Sequence, residues 1–167
     1  MRAAFEELGP TFVKFGQLLA SRADLVPDEW VTELSKLQED VEPVPWEELR
    51  AQLEEDLGAS PETVWPALET APLAAGSIAQ VHRAKLVTGE EIVLKVRRPG
   101  IRAVVEADLR LLARLAELVE SQLPELRRYR PKKIVRSFGR SMRDELDLAV
   151  EARNTDQLAR QLAADPE

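Results

Sequence analysis

One change of period constrains this chain more than anything else in it. Up to Pro66 the apolar residues recur at helical spacing. From Leu68 the period falls to two, and after Pro99-Gly100 it returns to helical spacing. The segment in between, Ala71 to Arg98, reads APLAAGSIAQVHRAKLVTGEEIVLKVRR. Ala74, Ala75, Gly76 and Ser77 form a run with almost no side chain. Two strands are predicted after it, Ile78 to Leu86 and Glu91 to Val96, and Thr88-Gly89 supplies the hairpin connection. The predicted order is helices, a small antiparallel sheet, then helices, which is α+β in the layered sense.

Helices are predicted on both sides. TFVKFGQLLASR carries Phe12, Phe15, Leu18 and Leu19 as an apolar stripe, and PDEWVTELSKL places Trp30, Leu34 and Leu37 on an inner face. PWEELRAQLEEDLG puts Leu49, Leu53 and Leu57 at helical spacing with Gly58 as its stop, and Ser60 is a candidate N-cap for a short turn after it. Beyond the sheet, Ile101 to Leu123 is expected to turn Val105, Leu109, Leu112, Leu115 and Val119 inward. A single helix from Pro131 to Leu162 is expected to do the same with Ile134, Phe138, Met142, Leu146 and Val150.

The 167 residues are enough for one domain with a real core, and 44% hydrophobic with 32% charged residues fits a globular chain. A net charge of −7 argues against nonspecific nucleic-acid binding. The basic cluster Arg127, Arg128, Arg130, Lys132 and Lys133 around Pro131 reads as a solvated turn between helices, or else as a contact for lipid headgroups or a phosphorylated partner. With no cysteine there is neither a disulfide nor a thiolate metal site, which fits a reducing compartment. No stretch approaches the apolar length of a membrane span, and Arg2, Glu6 and Glu7 interrupt any signal-peptide run. The abrupt start and stop suggest a segment of a longer protein.

Lys95 lies within an apolar strand, where a charge needs a reason. It is either an edge-strand lysine that deters pairing with other chains, a role open to Arg97 and Arg98 too, or a phosphate contact beneath the small-residue loop. A buried lysine would need a carboxylate, and Glu145, Asp147 and Glu151 offer one; their bland reading is a solvated acidic face balanced by Arg143 and Arg153. Asp147 and Glu151, four apart, share a helical face. Lys14 and Gln17 in KFGQ project from one side of their helix, and Gly16 between them permits close approach to the backbone at a helical cost of about 1 kcal/mol against Ala. Gln80 and the lone histidine, His82, read as ordinary strand residues, with no support for a metal site or a triad.

Taken together, LGPTFVKFGQLLASRADLVPDEW, AAGSIAQVHRA, VLKVRRPG and ELDLAVEARN closely resemble the UbiB-type atypical protein-kinase-like family, in order and over nearly the whole chain. The resemblance implies a kinase-like N-lobe, a small antiparallel sheet with a helix-C equivalent, over residues 67–167. A helical extension over residues 1–66 carries the Lys-x-Gly-Gln signature, and the C-lobe lies outside this chain. It implies ATP or ADP with Mg as the nucleotide, held here by Ala74, Ala75, Gly76, Ser77 and Lys95, with Glu145 as the partner of Lys95. Lys14, Gln17, Asp147 and Glu151 become a polar signature cluster over the cleft, where a covering helix excludes a bulky peptide substrate. No catalytic residue and no metal ligand is expected within this chain, since the family's catalytic loop and Asp-Phe-Gly lie further C-terminal. Ser137-Phe138-Gly139 and His82-Arg83-Ala84 only mimic kinase motifs. Gly76 departs from the family's alanine run and implies a more flexible loop.

The expected function is therefore the nucleotide-binding segment of an atypical kinase-like ATPase linked to ubiquinone or isoprenoid-lipid metabolism, and the alternative is a non-catalytic, pseudokinase-like scaffold. The expected partners are nucleotide and, for the intact protein, membrane lipid or quinone precursors, with no nucleic acid. The expected location is the cytoplasmic side of a membrane, this segment being soluble.

Overall fold

The computed structural model describes residues 2–37 and 41–164. Five helices come first: α1 (Arg2–Leu8), α2 (Pro10–Ala20), α3 (Asp28–Leu34), α4 (Trp46–Leu57) and α5 (Pro61–Val64). Three strands follow, β1 (Ala74–Ala75), β2 (Ala79–Lys85) and β3 (Glu91–Arg97). The chain then forms α6 (Ile101–Gln122), a 3-10 turn (Pro124–Tyr129), α7 (Pro131–Leu146) and α8 (Leu148–Ala164). It divides after Asp108 into two compact units.

Two apolar centres stand out among the described residues of the first unit. Val13, Leu34 and Leu37 form one, with Phe5, Leu19 and Ala20 packed against it, so α1, α2 and α3 close on each other. The other sits on the sheet: Leu49 and Leu53 of α4 meet Val96 of β3, with Val44, Trp46 and Leu94 around them. The amphipathic spacing of α4 is what lets one helix cover one face of a three-stranded sheet. Gly58 ends α4 in the left-handed conformation, φ 67°, as its position in the sequence predicts.

The sheet is antiparallel, in the order β1-β2-β3. Its register pairs Ala75 with Gln80, Gln80 with Val96, His82 with Leu94 and Ala84 with Ile92 on one face. Ala74 with Val81, Val81 with Lys95, Arg83 with Val93 and Lys85 with Glu91 pair on the other. Gly89, φ 93°, turns the β2–β3 hairpin, as expected of Thr88-Gly89.

In the second unit Leu109, Leu112 and Ala116 of α6 are buried, and so are Val135, Phe138, Gly139, Met142 and Leu146 of α7. The basic cluster is the expected helix–helix turn, with Arg130 in the left-handed region at φ 52° and Glu120 pairing with Lys132 at 3.3 Å.

Four expectations fail in detail. Trp30, Leu57 and Leu115 do not face inward; Trp30 is 47% and Leu115 45% exposed. In α6, Ala116 takes the inner position, because the buried line Val105, Leu109, Leu112, Ala116 already completes the stripe and leaves Leu115 about 100° away. The single last helix is two: α7 stops at Leu146, Asp147 adopts φ −97° and ψ 85°, and its carboxylate accepts from the N–H groups of Ala149 (3.1 Å) and Val150 (3.3 Å). A side chain that caps a new helix competes with continuation of the old one.

Candidate functional site

The two-residue period of a strand sends neighbouring side chains to opposite faces. Along β3, Ile92, Leu94 and Val96 turn toward α4, while Glu91, Val93 and Lys95 turn to the open face. Lys95 is exposed there, so it carries no burial cost, contrary to the premise that an apolar strand implies a buried charge. The register places Ala74, Val81 and Lys95 on one line across the three strands of that face, and Val93 lies two residues along from Lys95. A cation, an alanine of the small-residue run and two valines thus share one open surface.

The small-residue loop is held by a strand pairing and by hydrogen bonds to Arg98. Ala74 and Ala75 form β1, and the Gly76 N–H donates to the Ala79 carbonyl at 2.9 Å. The Gly76 carbonyl accepts from Arg98 Nε at 2.8 Å, and Arg98 Nη2 reaches the Glu42 carbonyl at 2.7 Å. Both backbone groups of Gly76 are therefore hydrogen-bonded, and its φ lies outside the left-handed region. A Cβ there would meet the Ala79 oxygen at 3.4 Å, an ordinary contact. Ser77 is buried beside it. Burial pushes the Arg98 guanidinium below the usual arginine value, which still leaves it charged at neutral pH.

Behind the loop, on the covered face, two polar residues of β2 are fully buried. Gln80 accepts from the Val44 N–H through Oε1 and donates to the Val44 carbonyl through Nε2 at 3.5 Å. His82 Nδ1 lies 2.9 Å from the Glu69 carbonyl and so carries the proton, and its ring meets Trp46 at 5.4 Å between centroids. These side chains clasp the chain entering α4 and the chain entering the sheet.

On α2, Gly16 has a packing reason. A Cβ would stand 2.4 Å from Leu37 Cδ1, 3.0 Å from Phe5 Cδ1 and 3.3 Å from Leu34 Cδ2. What approaches the backbone closely is the leucine cluster around α3. Gln17 donates from Nε2 to the Leu37 carbonyl at 3.1 Å, holding the same segment. Lys14, three residues away, is half-buried.

Glu145, Asp147 and Glu151 lie in the second unit. Glu145 is exposed in the last turn of α7, Asp147 is the cap described above, and Glu151 is exposed in the first turn of α8. Among the described residues no group of three or more His, Asp or Glu could hold a metal ion, and no helix is long and apolar enough to cross a membrane.

Sequence reading missed Arg98 and Gln80. Arg98 passed as one of two edge charges and Gln80 as an ordinary strand residue. The available signal was position: Gln80 alternates with Ile78 and His82 on the face that Val96 and Leu94 identify as the core side.

The chain is 46% identical over 161 residues to a probable protein kinase UbiB of Vibrio vulnificus strain YJ016, covering 96% of this chain and 30% of that protein. A probable protein kinase UbiB of Pseudomonas paraeruginosa strain PA7 is 45% identical over 166 residues, covering 99% and 31%. The chain thus spans less than a third of the length of these curated relatives. Among solved structures, the Mycobacterium tuberculosis Rv3197–erythromycin complex aligns with 65% of this chain and 28% of that one, at 27% identity and a TM-score of 0.44. The profile of the ABC1 atypical kinase-like domain matches residues 36–167. On that match and the two UbiB kinases, the chain belongs to the ABC1 (UbiB-type) atypical kinase-like family.

Proposed function

We propose that this chain is the nucleotide-binding segment of a UbiB-type kinase-like ATPase, and that the intact protein acts in ubiquinone or isoprenoid-lipid metabolism. The observation that carries the reading is the line Ala74–Val81–Lys95 across the open face, with Val93 beside it. A flat base stacks on small and branched apolar side chains, and an ammonium at the end of the same surface attracts phosphate oxygens. Ala74, Ala75, Gly76 and Ser77 would frame the phosphates from above. Bound ATP or ADP with Mg supplies the transferable phosphoryl group. Lys95 would neutralise and orient its oxygens, and Glu145 would hold the lysine in that orientation. The metal ligands and any base are assigned to parts of the protein outside this chain. In this reading Lys14, Gln17, Asp147 and Glu151 line the approach to the site and favour a small or lipid-like acceptor, or water. The intact protein would work at the cytoplasmic side of a membrane, close to lipid or quinone precursors.

A second reading, a pseudokinase-like scaffold, draws on two observations: Gln17 tethers Leu37 and Asp147 caps α8, so two members of the polar cluster already have structural tasks. ATP turnover by the full-length protein separates the readings. Lys95→Ala and Glu145→Ala are each expected to lower kcat/KM for Mg-ATP by about a hundredfold or more while the fold persists. Turnover unchanged in Lys95→Ala would leave the scaffold standing. A thermal shift of this segment alone with Mg-ADP is expected to be small, since half of the site is assigned elsewhere.

A further inference from the structure

Arg98 is tied twice to the small-residue loop and once to the segment that precedes α4. Its backbone N–H donates to the Ile78 carbonyl at 2.9 Å, and its Nε to the Gly76 carbonyl at 2.8 Å. Nη2, on the same edge of the guanidinium, donates to the Glu42 carbonyl at 2.7 Å, 56 residues away in sequence. The planar fork matters here. Two carbonyls from distant segments converge on one rigid edge, which a lysine ammonium on a flexible stem cannot reproduce. Two residues beyond Glu42, Val44 is gripped through both its backbone groups by the buried side chain of Gln80. Glu42–Val44 is therefore a strap from the helical extension, stitched at both ends of the loop Gly76–Ala79: by Arg98 to its first residue and by Gln80 to the residue after its last.

We propose that Arg98 is a positioning residue through which the helical extension sets the shape of the nucleotide loop, with Glu42–Val44 as the strap that transmits it. This rests on the nucleotide reading of the loop. A guanidinium bound to the Gly76 carbonyl holds that oxygen, so the loop does not turn it toward an anion. Displacing the strap withdraws one of the two acceptors that hold the guanidinium, and the loop loses that orientation. A purely structural arginine would stabilise the fold without discriminating nucleotide binding from turnover.

The test uses the full-length protein with Arg98→Lys, Gln80→Leu and the double variant, folding being checked by circular dichroism. Arg98→Lys is expected to raise KM for Mg-ATP about tenfold with kcat within about twofold, because the loop and not the reacting group is misplaced. Gln80→Leu is expected to raise KM about threefold, and the double variant to be no worse than Arg98→Lys, since both cut one connection. Multiplicative effects in the double variant, or an unchanged KM in Arg98→Lys, would overturn the proposal. Should Arg98→Lys not fold, Arg98→Gln, which keeps one donor for Gly76, is read the same way. Hydrogen exchange without nucleotide distinguishes failure of the strap from failure of the nucleotide reading. The amides of Val41, Glu42 and Val44 and those of residues 74–79 are expected to exchange together about tenfold faster in Arg98→Lys. If the wild type turns over no ATP, the nucleotide reading falls and exchange alone decides the strap: acceleration of both segments supports it, and acceleration of one or neither overturns it.

Discussion

The two faces of the small sheet are made from the same strands and obey different rules. On β3, Val96 is 6% exposed and Val93 64%, three residues apart in one strand. The covered face holds Gln80, His82, Leu94 and Val96 under Leu49 and Leu53, and both Gln80 and His82 hold a backbone group of a neighbouring segment. The open face carries Val81, Val93 and Lys95, which the fold does not need in its core. The contrast separates residues that hold the scaffold from residues that face solvent. It also shows that a polar residue in a strand is no guide to function until its face is known.

The largest effect that would break this contrast is a truncation under the sheet. Leu49 is fully buried, and Leu49→Ala is expected to cost about 3 kcal/mol by urea unfolding. Val93→Ala on the other face is expected to stay within about 0.5 kcal/mol. Equal losses would mean that the open face is covered in solution. Gln80→Leu comes next, at about 2 kcal/mol, because it removes the partner of both Val44 backbone groups and keeps the volume. A loss no larger than that of Val93→Ala would show that water replaces the clasp freely.

On α2 the same division recurs with a smaller stake. Gly16→Ala gains helix propensity but drives a methyl into Leu37, Leu34 and Phe5, two of them fully or almost fully buried. Overpacking is expected to win by about 1 kcal/mol, measured as a lower unfolding midpoint at unchanged denaturant slope. Stabilisation by alanine would mean that the leucine cluster yields more easily than its packing suggests.

What could be read from the sequence was periodic or local. The alternation around Ile92, Leu94 and Val96 was legible, as were the Thr88-Gly89 turn and the Gly58 stop, because each depends on residues within one turn or one strand. The break at Asp147 was not. The apolar repeat from Ile134 to Val150 runs straight across it, and only the capping carboxylate tells the two helices apart. Leu115 misled for a related reason, since leucine fits a stripe by type while the stripe closes on Ala116 by angle. Arg98 and Gln80 were out of reach altogether. Their partners are main-chain atoms 56 and 36 residues away, and a carbonyl has no residue type by which a sequence could announce it. The candidate nucleotide residues were legible as a set through family resemblance, whereas the face they share had to come from the register.

The smallest effect concerns the solvent side of the helix that covers the sheet. Glu62 accepts from the Ser60 hydroxyl and from Arg50 of α4 at 2.9 Å, and these donors, the hydroxyl foremost, pull its carboxyl from 4.5 down to about 2. A lowered folded-state value means that the unfolded chain binds the proton more readily, so the stabilisation is present above pH 4.5 and is lost as the pH falls toward 2. At neutral pH an exposed pair of this kind contributes little, because solvent screens it and two side chains must be held still. Glu62→Gln is therefore expected to lower the thermal midpoint slightly at pH 7 and to converge with the wild type only as the pH falls to about 2. A gap that stays constant from pH 7 to pH 2 would show that the carboxylate's charge plays no part. In that case the α4–α5 corner would be held by Ser60 and the burial of Pro61 alone.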